Sequence, residues 1–168
     1  MAISMYETTI PALRKMLGNL SAILSKAEAH ATARKIDPAV LLQSRLFPDM
    51  FALTKQVQIA CDFAKGAAGR LAGAEVPKYE DNETTFDQLR SRIAKTLAFM
   101  ETCKQAQFAG AEARAVKLTM GGKGYEFTGL DYVNHVVFPN FYFHVTTAYD
   151  ILRHNGVELG KADFVGEI

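Results

Sequence analysis

Apolar residues recur at alternating steps of four and three through Tyr6, Ile10, Leu13, Leu17, Leu20, Leu24 and Ala27, the spacing of one face of an α-helix. Ser4, with Glu7 three residues on, forms a capping box at its start, so the pattern predicts a long amphipathic helix. Pro11 falls off the stripe but removes a backbone donor and should bend the first turns. The segment His30 to Ile36 reads as a connector. Asp37-Pro38 then places a capping side chain before a proline at the first helical position, starting a second helix through Leu41 and Leu42. Pro48-Asp49 interrupts it, and from Met50 the four-three spacing resumes through Leu53, Val57, Ala60, Ala64, Ala67 and Leu71. Small residues on that seam imply close helix approach. Gly73 and Pro77 close the element, and the polar stretch Lys78 to Glu83 reads as a loop.

Thr84-Thr85 opens a third helix that continues through Leu89, Ile93, Leu97 and Met100 and fades near Gln107. The period then changes from helical to alternating. Val116, Leu118 and Met120 alternate with Lys117 and Thr119, and Tyr125 and Phe127 with Glu126 and Thr128, across Gly121-Gly-Lys-Gly124. A short β-hairpin explains this, with glycine supplying positive φ in the turn. The alternative reading of Gly121 to Gly124 as a phosphate loop fails, because Lys123 is followed by Gly124 and not by Ser or Thr. Thr128 with Asp131 caps a fourth helix from Leu130 to Asn155, stopped by Gly156, before a short tail. Four long helices and one hairpin predict an all-α bundle in a single domain, residues 1–168, with no repeat or low-complexity tract.

Composition changes this picture little. The 168 residues carry 19 basic and 18 acidic side chains, so no field favours nucleic acid or an anionic membrane. No apolar run approaches the length of a membrane span, and an acid at Glu7 stands where a secretion signal needs a basic start and an apolar run. Cys61 and Cys103 lie among apolar helical positions and read as buried free thiols of a reducing cytoplasm.

The candidate chemistry concentrates on the fourth helix, where eight of the 17 aromatic residues fall between Tyr125 and Tyr149. At about 100° per residue, Val133, Val137, Phe141, His144, Ala148 and Ile151 form one stripe. His135, Phe138, Tyr142 and Tyr149 fall on roughly the opposite side, which should be covered by the hairpin, the tail or a second copy of the chain. A homodimer through that second face is the expectation. His144 lies in the core stripe with Asn140 about 40° away on the same face. His135 is about 180° from His144, so one helix cannot aim both at a single ion. His154, four residues after Asp150, reads as a helix-end contact, and His30 belongs to the connector.

Four features together resemble the DinB-like four-helix bundle superfamily, and within it an uncharacterised bacterial branch. They are Met5-Tyr6 with Leu20-Ser-Ala-Ile-Leu24; Arg45-Leu-Phe-Pro-Asp-Met50 with Gln56-Val-Gln58; the Thr85-Phe86 helix start; and Pro139-Asn-Phe-Tyr-Phe-His144 ending in Leu152-Arg-His-Asn-Gly156. The resemblance covers nearly the whole chain and implies an up-down-down-up bundle. It also implies a site, since metal-binding members hold a divalent ion with one histidine from the second helix and a His-x3-His pair on the fourth. The pair falls here on Asn140 and His144, and the second-helix position near Gln56, which lies about 70° from that helix's apolar centre; Gln58, about 130° away, is the less favoured of the two to face inward.

Two imidazoles are thus replaced by carboxamides, which hold first-row metals far more weakly at neutral pH. The expectation is no tight cofactor and at most a weakly bound divalent metal on His144, Asn140 and Gln56. A polar pocket of Gln56, Asn140 and His144, with Arg45 or Asp49 at its mouth, would bind a small molecule in a cytoplasmic protein, and the incomplete ligand set argues against an enzyme. The resemblance implies two alternatives. One is a metal-dependent thiol transferase of the glutathione or bacillithiol type, or a hydrolase, with His144 as catalytic ligand or base. The other is a dimeric structural or stress-associated interaction module.

Overall fold

A computed structural model describes residues 4–167. Residues 1–3 and 168 of the expected 1–168 domain therefore lie outside the described residues. The chain is mostly helical: α1 (Met5–Arg34), α2 (Pro38–Gln43), α3 (Leu53–Ala72) and α4 (Phe86–Thr102) come first. A 3-10 turn (Gln105–Phe108) leads to an antiparallel hairpin, β1 (Ala115–Met120) and β2 (Lys123–Thr128). The last helical stretch has three parts: α5 (Gly129–Asp131), a π-helical turn (Tyr132–Val137) and α6 (Phe138–His154). A short α7 (Lys161–Val165) follows.

The helix starts are those the capping residues dictate. Ser4 and Glu7 exchange hydrogen bonds with each other's backbone, as do Thr85 and Gln88, while Asp37 caps Ala39 and Thr128 caps Asp131. The end of α1 differs from expectation. Ala29, Ala31 and Ala33 sustain helix propensity past His30, so His30 lies on the helix, and the stop is Lys35 in the left-handed region at φ 56°. A side chain there carries a steric cost that glycine avoids. Lys35→Gly is accordingly expected to raise the free energy of unfolding, and so stabilise the fold, by about 1 kcal/mol, measured by urea unfolding.

In the hairpin Met120 pairs with Lys123, which leaves Gly121 and Gly122 as a two-residue turn with φ of 56° and 77°. Both positive values are what a right-twisted two-residue hairpin requires. The fourth long helix is not uniform as its periodicity suggested. Pro139 has no N–H to give the ladder, and just before it the winding loosens so that the Phe138 N–H reaches the Val133 carbonyl five residues back.

α3 packs against both α4 and α6, and α1 packs against α4 and α7. Leu13, Leu17, Leu20, Leu24, Leu53, Val57, Leu71, Phe141 and Ile151 are fully enclosed, each burial contributing about 1.5–3 kcal/mol against exposure. The small residues Ala60, Ala64, Ala67 and Ala68 of α3 are enclosed as well, which brings neighbouring helices close. Among the described residues no helix is long and apolar enough to cross a membrane.

The tail carries an element its sequence did not announce. α7 docks on α1 through a Lys26–Asp163 ion pair of 2.6 Å and a 2.9 Å hydrogen bond from Asn19 Nδ2 to the Phe164 carbonyl. The Phe164 ring packs edge-on against Tyr149 at 5.9 Å between centroids. The tail therefore covers one end of the second face of α6.

Candidate functional site

The core stripe of the last helix is buried as its spacing implies, with Val133, Val137, Phe141, Ala148 and Ile151 enclosed and His144 8% exposed. α3 lies directly against α6, and its buried Gln56 meets His144: Gln56 Oε1 and His144 Nδ1 are 2.6 Å apart. Gln56 is itself held, because its Nε2 donates to the Phe51 carbonyl at 2.9 Å. The Phe63 ring lies nearly parallel to the imidazole, centroids 6.3 Å apart at 16°, and exposed Phe143 meets it edge-on at 5.3 Å. Burial among these groups pushes the His144 pKa below its ordinary value, so the imidazole is neutral at pH 7.

The other sequence candidates are not joined to this pair by any hydrogen bond among the described residues. Asn140 Nδ2 donates to the Val136 carbonyl of its own helix at 2.7 Å. Arg45 is exposed and braces the loop before α3 by donating to the carbonyls of Pro48 and Met50, at 3.4 and 3.2 Å. Asp49 is exposed on the same loop. On the second face of α6, Phe138 and Tyr142 are half-buried against each other, and His135 is exposed near Asp131. The Tyr142 hydroxyl pKa is pushed up by burial. His154 ends α6 and, among the described residues, makes no ion pair with exposed Asp150.

Gln58, the less favoured of the two glutamines to face inward, is buried as well. It is 4% exposed and donates to Glu83 at 2.8 Å, because the loop before α4 folds back over that side of α3. There it joins a cluster centred on Arg92, whose side chain is 2% exposed. Arg92 contacts Asp62 at 3.0 Å, Asp81 at 2.9 Å, Glu83 at 2.9 Å and the Glu80 carbonyl at 3.0 Å. Tyr79 lies against three cations, Lys95 at 4.2 Å, Lys65 at 4.6 Å and Arg92 at 5.3 Å from its ring centroid.

Burial alone would raise the Asp81 pKa, but the hydrogen bond from Lys55 and the Arg92 charge outweigh it and hold the carboxyl below its ordinary range. Burial opposes the charge of Arg92 too, yet Glu83 and Asp62 keep its pKa above the usual value. Enclosed Cys61 beside this cluster has its thiol pushed up to about 12 by burial, which leaves it unreactive at neutral pH. A surface hollow of about 430 Å³ borders the cluster, lined by Tyr79, Glu83, Arg92 and Lys95 among others. Sequence reasoning missed Arg92 because stripes were traced through apolar residues alone. The available signal was its position: three residues after Leu89 and four before Thr96, it occupies a core place on α4.

A mostly helical protein with a small antiparallel hairpin and one core imidazole on its last long helix is the class that fold and site define. Residues 5–165 match a family described as a domain of unknown function, DUF1993, and the chain belongs to that family. It is also similar to a solved protein described as a DinB family member from Shewanella denitrificans, at 47% identity and a TM-score of 0.89. That match covers 97% of this chain and 92% of the other. The chain is thus a DinB-like domain of unknown function. None of the curated proteins matches its sequence.

Proposed function

We propose that this protein is an up-down-down-up four-helix bundle of the cytoplasm whose His144 niche binds a small molecule through the neutral imidazole rather than through a tightly held metal. The observation that carries the reading is the 2.6 Å contact between His144 Nδ1 and Gln56 Oε1. A buried imidazole held in one orientation by an amide, itself tied to a backbone carbonyl, is a preorganised polar group in an aromatic setting. Small-molecule sites are built that way.

The residues at the position where relatives of this fold hold a metal do not fit one. His144 is the only imidazole of the three, the Gln56 oxygen is committed to His144, and the Asn140 nitrogen is committed to Val136. Neutral carboxamide oxygens are poor donors for zinc or nickel. Among the described residues no three His, Cys, Asp or Glu side chains converge into a cation site.

A thermal-shift series tests this reading with phenols, thiols such as glutathione, small carboxylic acids, and zinc, nickel and manganese. At least one of these organic classes is expected to raise the melting temperature of the native chain and to lose that effect in His144→Ala. A rise with metal ions alone, at low concentration, would overturn it.

A further inference from the structure

The hydrogen bonds around His144 define which of its nitrogens is available. Gln56 gives its amide nitrogen to the Phe51 carbonyl, so the oxygen is the atom turned toward His144. A carbonyl oxygen only accepts, and the proton of that contact therefore sits on Nδ1. The neutral ring then carries its lone pair on Nε2.

Nε2 also reaches solvent. It has no hydrogen-bond partner among the described residues, where the enclosed side-chain polar atoms without one are Thr9 Oγ1, Arg90 Nη1 and Arg92 Nε. The small part of His144 that remains exposed thus includes Nε2. Around it stand aromatic surfaces: Phe63 parallel to the imidazole, and Phe143 edge-on and 55% exposed. An exposed ring and a parallel half-buried one beside one outward acceptor favour a flat apolar body with a single donor.

We infer that Gln56 is a positioning residue that locks His144 in the Nδ1–H form, and that the exposed Nε2 accepts a hydrogen bond from the O–H or N–H of a small aromatic ligand, the phenol class. This rests on the small-molecule reading above and names its ligand. A carboxylate ligand is disfavoured, because at neutral pH it has no proton to give to a lone pair. Gln56 does not touch the ligand; it decides which ring nitrogen can.

The test is a two-bond 1H–15N correlation spectrum of histidine-labelled protein above the titration range of the ring, with His144→Ala identifying the signal among the four histidines. The wild type is expected to show Nδ1 protonated and Nε2 bearing the lone pair. Gln56→Leu should lose that pattern, whereas Gln56→Glu, which keeps an acceptor oxygen, should retain it. An Nε2–H pattern in the wild type, or an unchanged pattern in Gln56→Leu, would overturn the lock whether or not ligands bind.

Phenol and anisole, equal in body but not in donor, then separate the ligand class. Phenol should shift the Nε2 resonance in a saturable way and anisole should not. Equal shifts, or none, would overturn the donor assignment. Because the tautomer is read without ligand, its failure is distinguishable from failure of the small-molecule reading, which the thermal-shift series reports separately.

Discussion

Replacing Arg92 with methionine is expected to destabilise the fold by about 3–5 kcal/mol, read as a lowered urea midpoint. The reason is what the substitution leaves behind. The Asp62 and Asp81 side chains are 41% and 36% exposed and can turn to water, but Glu83 is only 10% exposed and would keep its charge without its main partner. The Glu80 carbonyl would lose its donor in the same step. Arg92→Lys should recover little, since one ammonium cannot span acceptors that the guanidinium fork reaches together. Adding Glu83→Gln to Arg92→Met should recover part of the loss, because the stranded charge disappears. An unchanged midpoint for Arg92→Met would show that the loop before α4 is held by other means.

Acid should narrow the gap between Arg92→Met and wild type. The Asp81 carboxyl has a folded pKa below its ordinary value, so acidification drives proton uptake toward the unfolded chain. Its contribution is complete above the ordinary carboxylate pKa and is lost as pH falls through the depressed one. Most of that depression comes from Lys55 and Arg92, and the part due to Arg92 is absent in the variant.

The features that a period of three and four could trace were legible in the sequence. The stripes of α1, α3 and α4 are buried as counted except at Tyr6, Met50 and Leu97, which are half-buried, and His144 stands out because it interrupts an apolar stripe with a polar ring. Gln56 was placed by resemblance, and the structure brings it to His144. What stayed hidden depends on contacts between distant segments. Gln58 is buried because a loop some 25 residues later folds over it, which no helical wheel contains. Arg92 takes a core place on α4, but the acids that surround it come from that loop and from α3, which its own helix does not contain. α7 is short and weakly periodic, and its order comes from docking on α1. The loosened winding before Pro139 shows neither in composition nor in period.

Gly129→Ala is expected to destabilise the protein by about 3 kcal/mol, although alanine is the better helix former by about 1 kcal/mol. Gly129 opens α5 directly after the hairpin, and a Cβ built there would overlap the Ala111 carbonyl oxygen and lie 3.1 Å from Leu71 Cδ2. The obstacle is backbone, which cannot swing aside as a side chain would. The Ala111 carbonyl accepts from the Arg114 N–H at 3.2 Å, and next to it the Glu112 carbonyl accepts from the Leu130 N–H at 3.0 Å. Arg114 in turn donates to the carbonyls of Leu71 and Gln107, tying this segment to the end of α3. Room for one methyl group therefore requires shifting the junction that joins the hairpin, α3 and the helix carrying His144. Gly18→Ala is the matched control, because Gly18 is exposed within α1 with nothing within 4 Å of an added Cβ. That change should stabilise by about 1 kcal/mol. Opposite signs for the two substitutions in urea unfolding would show that close backbone approach, and not helix propensity, requires glycine at position 129; a neutral or stabilising Gly129→Ala would refute it.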